Sequence, residues 1–254
     1  MSFIFPTENT SFVFIRFFLY LILGILFGYF EYSQKFQLSY SKFNKSGNID
    51  SQKGMVFIYG VPILVFLFYA RNHFFQNQYS LVLSVLLVFH FGKRVLESVW
   101  VHKYSGKISL LTLLLITYFY SAIAYIVFTW IALTPQELVE KIPTFSYVLG
   151  IVLFVIGQTL NFYHHVLLAN LRKDSREYKI PEAGFFKRTF CPHYFFEILS
   201  WLGLAICSQY LLGYAITFIM FCYLFARSIN TKKWYIEKFP SVQFRKKLLI
   251  PGIL

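Results

Sequence analysis

Long apolar runs, separated by short polar and charged stretches, dominate the chain. An α-helix needs about 20 predominantly apolar residues to cross the hydrocarbon core of a bilayer. The pattern therefore predicts an all-α polytopic membrane protein, folded as a single membrane domain over residues 1–254. Seven segments are predicted to cross the membrane: Thr10–Phe30, Met55–Ala70, Tyr79–Val101, Ile108–Leu133, Phe145–Leu168, Phe195–Gln209 and Leu211–Phe225.

The first run is interpreted as a retained helix. Met1–Thr10 lacks the basic region of a signal peptide, and no small-residue cleavage site follows the run. Composition supports the membrane assignment, because 57% of the 254 residues are hydrophobic and only 14% are charged. A soluble domain carries about a quarter of charged residues.

Charge predicts the orientation. Lysine and arginine concentrate in alternate loops and in the tail, whereas Arg71 and Lys141 lie on the opposite side. The positive-inside rule then places the N-terminus outside and the C-terminus in the cytoplasm. Because basic juxtamembrane loops are usual in membrane proteins, the net charge of +13 gives no indication of nucleic-acid binding.

Histidine content argues against a di-iron desaturase, which needs about eight clustered histidines. The chain has six, scattered along its length, and no metal site is predicted. Its three cysteines show no CxxC spacing. No inverted repeat of the kind found in transporters is evident.

Two predicted helices carry polar residues near one end. The spacing of Lys93, Arg94 and Glu97 favours interfacial anchoring, in which the charged groups extend to the membrane surface. In the fifth segment a polar stripe at helical spacing must face protein, water or ligand. Two roles for that stripe, contact between helices and ligand binding, remain open. The stripe comprises Gln158, Asn161, His165, Leu168 and Arg172.

The stretch from Asn161 to Tyr210 leaves the membrane through a basic loop and re-enters it. Pro181 and Pro192 are expected to break helices, so that the sixth helix begins at Phe195. Glu197 then lies one turn into an apolar helix and needs a partner. A basic residue of the tail or a ligand hydroxyl is the expected partner. The tail beyond Phe225 is expected to lie on the inner leaflet.

Several ordered stretches carry a family resemblance. They are VFHFGKRVLESVWVHKYSGK at 88–107, the stretch 161–209 with its NFYHH, YKIP and CPHY, and the tail with WYIEKF and LLIPGIL. They resemble the C-terminal domain of the steroid 5-alpha-reductase family, in particular its very-long-chain trans-2-enoyl-CoA reductase branch. Residues 1–107 would then supply the first three helices and substrate-side elements, and residues 108–254 the reductase region.

The resemblance implies a seven-helix reductase that binds NADPH from the cytoplasmic side. Such enzymes transfer a hydride to a carbon–carbon double bond conjugated to a carbonyl group of a lipid. An enoyl-CoA is favoured here, and a steroid or polyprenoid enone is the alternative. The membrane would be a bacterial inner membrane or the endoplasmic reticulum.

Positions that match the family imply the site residues. Those implied to bind the dinucleotide are Asn161, His165, Arg172, Tyr178, His193, Glu197, Arg227 and Tyr235. Those implied to be catalytic are Tyr194, Lys93 and Arg94. Tyr194 would donate a hydrogen bond to the carbonyl oxygen or deliver the final proton, with Lys93 or Arg94 lowering its pKa.

The chain departs from the family where the substrate carbonyl should be polarised. The second segment holds no acid at the corresponding positions, and Phe91 stands where the family has a tyrosine. Tyr194 with Lys93, or Tyr59, would have to take over this role. Two alternatives remain: an isoprenylcysteine-type methyltransferase that uses S-adenosylmethionine, and a non-catalytic relative that only binds a cofactor.

Overall fold

The computed structural model describes residues 10–33, 38, 47–104, 106–172, 178–250 and 253. It is mostly helical, at 77%. The helices are α1 (Thr10–Ser33), α2 (Ser51–Ala70), α3 (Gln78–Leu96), α4 (Leu110–Leu133), the short α5 (Gln136–Val139), α6 (Thr144–Asn170), α7 (Pro192–Ser208) and α8 (Leu211–Lys238). A π-helical turn, Glu97–Val101, extends α3, and a 3-10 turn, Gly184–Lys187, precedes α7. The two-residue strands β1 (Ile49–Asp50) and β2 (Lys107–Ile108) pair antiparallel.

Six of these helices are long and apolar enough to cross a membrane. They are α1, α2, α3 with its π-helical turn, α4, α6 and α8. The remaining predicted segment is α7, which has 17 residues. Large apolar side chains point outward from the bundle, as at Leu64 and Leu111, each 67% exposed. Such exposure is expected where lipid is the solvent.

Three predicted boundaries are wrong. α2 begins at Ser51, because the carboxylate of Asp50 accepts a hydrogen bond from the Lys53 amide at 3.0 Å and caps the helix. α7 begins at Pro192, where the missing N–H costs nothing because the first helical amides have no partner within the helix. α8 continues to Lys238, so the first part of the predicted surface tail is helical.

Glycines allow α6 and α7 to pack closely as an antiparallel pair. A Cβ on Gly203 would lie 2.5 Å from the Phe154 nitrogen and 2.6 Å from the Gly150 oxygen. A Cβ on Gly157 would lie 2.7 Å from the Phe196 oxygen. Because these neighbours are backbone atoms, a larger residue would force the helices apart. This contact brings the polar stripe of α6 against the start of α7.

The first and last helices also pack through glycine. Gly24 and Gly28 of α1, spaced as in the GxxxG motif of membrane helices, face Ile219 and Cys222 of α8. A Cβ on Gly28 would lie 3.1 Å from the Cys222 oxygen. From Gly24 to Gly28 on α1, the facing residue on α8 moves from Ile219 to Cys222. α1 and α8 therefore run in the same direction.

Residues 247–249 fold back onto the segment before α7. Backbone amides of Phe190 and Cys191 donate to the Lys247 and Leu248 oxygens at 2.9 and 3.1 Å, and the Lys247 amide donates to the Arg188 oxygen at 2.8 Å. Leu249 is 1% exposed. This part of the tail is therefore built into the fold and does not simply lie on the membrane surface.

Candidate functional site

A π-helical turn ends α3 and shapes the centre of the candidate site. The His102 amide donates to the Glu97 oxygen at 2.8 Å, which is an i to i+5 bond. The carbonyl oxygens of Ser98 and Val99 accept from the side-chain amide of Gln52 at 3.1 and 3.0 Å. Single π-helical turns occur frequently at functional sites. Here the turn holds Glu97 inside the bundle.

Glu97 is one of two acids in a buried charged cluster. Its carboxylate lies 3.2 Å from the Lys93 Nζ and 2.5 Å from the Arg94 NH1. His165 Nδ1 lies 3.0 Å and His102 Nε2 3.7 Å from the same group. Glu97 is 1% exposed, so the predicted anchoring of these side chains at the membrane surface is wrong. They turn inward because their opposite charges compensate one another there.

The polar stripe of α6 joins this cluster to α7. Asn161 accepts a hydrogen bond from Lys93 Nζ at 2.5 Å and donates to the Glu197 carboxylate at 3.1 Å and the His193 carbonyl at 2.9 Å. His90 Nε2 lies 3.6 Å from the other Glu197 oxygen. The expected tail partner of Glu197 is therefore wrong, because α3 and α6 supply its contacts.

Arg94 extends the network to α2. Its NH2 donates to the Tyr59 hydroxyl at 2.8 Å, and its guanidinium lies 4.8 Å from the centre of the Tyr59 ring. The Tyr59 ring lies 5.7 Å from that of Tyr120 on α4. Arg94 thus contacts Tyr59, the residue named above as a substitute for the missing polarising pair.

Three members of the cluster have the side-chain types of metal ligands. Ligand atoms of Glu97, His102 and His165 all lie within 4.8 Å of one another. The guanidinium of Arg94, however, occupies the same carboxylate oxygen at 2.5 Å. Its fixed positive charge opposes a cation at that point, so the cluster is better described as an ion-pair network. Burial lowers the pKa of His102 below its usual value, which favours the neutral ring.

An open cavity of about 180 Å³ adjoins the cluster. His102 lines it and also contacts Glu97, and the His193 ring lies 5.5 Å from that of His165. Cationic and phenolic side chains from the segments after α3 and α6, and from α7 and α8, form much of its wall. Predicted site residues in this wall are Arg172, Tyr178, His193, Tyr194 and Tyr235. We call this space the polar cavity.

A second cavity of about 470 Å³ lies between α1, α4 and α8. Apolar side chains such as Phe27, Ile116 and Met220 form most of its wall. Glu31 and Tyr223 add polar groups, and Tyr120 lies in the wall and packs on Tyr59. We call this space the apolar cavity.

The predicted site residues therefore fall into three groups. Five line the polar cavity, as given above. Lys93, Arg94, Asn161, His165 and Glu197 form the buried cluster. Arg227 lies buried between α1 and α8, where its NH1 donates to the Glu31 carboxylate at 2.9 Å.

Sequence reasoning missed three participants. Glu97 is predicted to be an anchor at the membrane surface, and Glu31 lies just beyond the end of the first predicted span. Tyr223 lies within the last predicted span and is not predicted to have a role in the site. The sequence signal for Glu31 is an acid at the end of an apolar run, because such a group in a membrane needs a partner.

The fold and site define a class of protein: a polytopic helical membrane protein with a buried charged cluster and two adjoining cavities. A family model described as 3-oxo-5-alpha-steroid 4-dehydrogenase matches residues 106–254. The chain belongs to this family.

Individual proteins that are similar to this chain agree with the family assignment. The chain is 36% identical to 3-oxo-5-alpha-steroid 4-dehydrogenase 1 of Mus musculus over 106 residues, which cover 41% of this chain and 42% of the mouse protein. It is 29% identical to the very-long-chain enoyl-CoA reductase of Dictyostelium discoideum over 216 residues, 79% of this chain and 70% of that protein. It is 26% identical to the steroid 5-alpha-reductase DET2 of Gossypium hirsutum over 194 residues, which cover 74% of this chain and 75% of that protein. The alignment with the mouse protein thus spans less than half of that protein's length.

Proposed function

We propose that the protein is a membrane-embedded, NADPH-dependent reductase of a carbon–carbon double bond conjugated to a carbonyl in a lipid. The observation that supports this most is the pair of unlike cavities beside one helix, α8. Tyr223 lines the apolar cavity, and Thr231 and Tyr235 line the polar cavity two and three turns further along. Two of the similar proteins are named as an enoyl-CoA reductase and a steroid 5-alpha-reductase, which agrees with this reaction.

The polar cavity has the chemistry to hold the dinucleotide. Arg172, Lys103 and Lys179 line it and would bind phosphate groups. Arg172 is already oriented, because its NH1 donates to the Lys103 carbonyl at 2.9 Å and its guanidinium lies 4.9 Å from the Tyr178 ring centre. Tyr178 and Tyr235 supply aromatic parts of the cavity wall, and His193 supplies a further polar group in that wall. Bound NADPH would supply the hydride.

The apolar cavity would hold the lipid part of the substrate. Its volume of about 470 Å³ lies within the usual range for small-molecule sites. An acyl-CoA remains the favoured substrate, since basic loop residues near the polar cavity would also receive the phosphates of CoA. A steroid or polyprenoid enone is the alternative.

The buried cluster would position the reacting groups. Lys93 and Arg94 connect α3 to α2, α6 and α7 through Tyr59, Asn161 and Glu97. We assign Tyr194 the delivery of the final proton, because it lines the polar cavity with its ring 4.2 Å from that of His193.

We infer seven membrane crossings with the polar cavity on the cytoplasmic side. α1 and α8 pack in parallel, which requires an odd number of crossings between them. With α2, α3, α4 and α6 crossing, α7 must cross as well. Its 17 residues span about 25 Å at 1.5 Å per residue, just short of the hydrocarbon core.

The first experiment follows NADPH oxidation by purified protein in detergent with a long-chain trans-2-enoyl-CoA. Tyr194→Phe, which removes only the hydroxyl, is expected to lower kcat by about 10²–10⁴ while NADPH binding is unchanged. Tyr163→Phe is the matched control, because Tyr163 is 46% exposed on the outside of α6.

Each contrary result has its own meaning. NADPH binding without reduction of an enoyl-CoA, steroid enone or polyprenal would contradict the reductase and favour a non-catalytic binder. Binding of S-adenosylmethionine in place of NADPH would favour the methyltransferase. Full activity of Tyr194→Phe would remove Tyr194 from the mechanism and leave the reductase assignment intact.

A further inference from the structure

The apolar cavity has one polar corner. Glu31 is the single charged residue among the described residues that line it, and Tyr223 lies beside it. Both contact the same guanidinium nitrogen: Arg227 NH1 donates to Glu31 Oε1 at 2.9 Å and to the Tyr223 hydroxyl at 3.3 Å. We call these three residues the polar corner.

The charged pair of the corner is buried and hydrogen-bonded between α1 and α8. Glu31 and Arg227 are each 2% exposed. The side-chain amide of Asn230 donates to the Glu31 carbonyl at 2.6 Å, which fixes the end of α1 on α8. Because Arg227 and Glu31 compensate each other's charge, the corner presents the Tyr223 hydroxyl to the cavity without a net charge.

The corner also lies at the end of the apolar cavity that is nearer to the polar cavity. Tyr223, Arg227, Thr231 and Tyr235 follow one another at intervals of four residues and share a side of α8. Tyr223 lines the apolar cavity, whereas Thr231 and Tyr235 line the polar cavity. A substrate group at the corner would therefore lie about 12 Å along α8 from the first of these residues that lines the polar cavity, Thr231.

A tyrosine hydroxyl in this setting suits a carbonyl oxygen. The phenol both accepts and donates hydrogen bonds. When the phenol oxygen accepts a hydrogen bond from a guanidinium, the phenol O–H becomes more polar and donates a stronger hydrogen bond to a second oxygen. This effect is larger in apolar surroundings than in water. Donors fixed in advance at the point where negative charge develops are a large source of catalysis.

We propose that Tyr223, with Arg227 and Glu31 behind it, binds the carbonyl oxygen of the conjugated double bond that the enzyme reduces. This inference rests on the proposed function and names a catalytic residue for it. The β-carbon of the substrate accepts a hydride from NADPH, and the electron pair of the double bond moves toward the carbonyl oxygen. Tyr223 and the guanidinium stabilise the negative charge on that oxygen until the α-carbon takes a proton from Tyr194 and the carbonyl re-forms.

The decisive variant is Tyr223→Phe, which keeps the ring and removes the hydroxyl. We expect kcat for NADPH-dependent reduction to fall by about 10²–10³, with the NADPH dissociation constant unchanged. Tyr125→Phe is the matched control on α4, because Tyr125 packs on Tyr69 and Phe128. Tyr59→Phe is measured in parallel as the competing carbonyl donor. Loss of kcat in Tyr59→Phe with normal turnover in Tyr223→Phe would overturn the inference.

A second variant separates catalysis from stability. Glu31→Leu together with Arg227→Leu removes both charges, so neither is left buried alone, and such exchanges are often neutral for folding. We expect the thermal midpoint in detergent and the NADPH affinity to be retained. We expect kcat to fall at least tenfold, because the positive charge behind Tyr223 is lost. Unchanged kcat would show that the pair is only structural. Loss of NADPH binding would place Arg227 in the cofactor site and also overturn the inference.

Failure of the inference and failure of the proposed function give different results. If the wild-type protein oxidises NADPH with an enone and Tyr223→Phe does so at the same rate, only the inference fails. If the wild-type protein binds NADPH and reduces no enone, the proposed function fails and the inference fails with it.

Discussion

Glu97 is the residue on which the buried cluster depends most. It is 1% exposed and lies within 3.2 Å of atoms of Lys93, Arg94 and His165. Glu197 is the other acid of the cluster and lies against Asn161 and His90. Removing the charge of Glu97 would leave two buried cations with much less compensation. At the residue scale, the site is therefore a charge-balanced network in which one substitution affects several partners.

We expect Glu97→Gln to lower the free energy of unfolding by about 3–5 kcal/mol, the usual cost of breaking a buried ion pair. Unfolding in detergent, followed by circular dichroism against denaturant, would measure it. Glu237→Gln is the control, because Glu237 is exposed near the end of α8. Equal stability of the two variants would contradict the central role of Glu97.

At the element scale, the α6–α7 contact positions the polar residues. Gly150, Gly157 and Gly203 bring the two backbones together, so Asn161 reaches both Glu197 and the His193 carbonyl. α3 then supplies Lys93 and Glu97 to the same place, through a helix that ends in a π-helical turn. The small residues are therefore needed for the geometry of the site as well as for packing.

Gly203→Ala tests this contact. The new Cβ would overlap backbone atoms of α6, and overpacking of this kind costs about 1–3 kcal/mol. We expect a lower thermal midpoint in detergent, together with weaker NADPH binding because the start of α7 moves. Gly92→Ala is the control, because a Cβ there meets nothing within 4 Å, and alanine is about 1 kcal/mol better than glycine inside a helix. A midpoint for Gly203→Ala at or above that of Gly92→Ala would contradict the role of the contact.

At the scale of the whole molecule, α1 and the described part of the tail complete the two cavities. α1 supplies Phe27 and Glu31 to the apolar cavity and is held on α8 by the Arg227 ion pair. The tail pairs with residues 188–191 and supports Phe190 and Cys191, which line the polar cavity. Phe244 of the tail packs against Phe190 and Tyr235.

We expect Leu249→Asp to weaken NADPH binding by about tenfold or more. Leu249 is 1% exposed, and a buried unpaired carboxylate would detach the tail from the wall of the polar cavity. Val242→Asp is the control, since Val242 is 40% exposed in the same tail. Titration with NADPH in detergent would measure both, and equal affinities would show that the tail does not support the cavity.

Much of this architecture is determined by the sequence itself. Uninterrupted apolar runs near membrane-spanning length become helices because lipid cannot satisfy exposed backbone groups. The sequence identifies the stripe with Asn161 and His165, because polar groups at helical spacing inside a membrane need partners. The ordered motifs of residues 161–209 and the tail also sufficed to predict the family, which the comparison confirms.

The tertiary structure decided which of those polar groups meet. Spacing along α3 is the same for a surface anchor and for a buried cluster, and only the contact with α6 shows that Glu97 faces inward. Glu31 and Arg227 are 196 positions apart, so their ion pair depends on α1 packing beside α8. Local sequence determines helices because their hydrogen bonds are local, whereas ion pairs between distant helices depend on how the whole bundle packs.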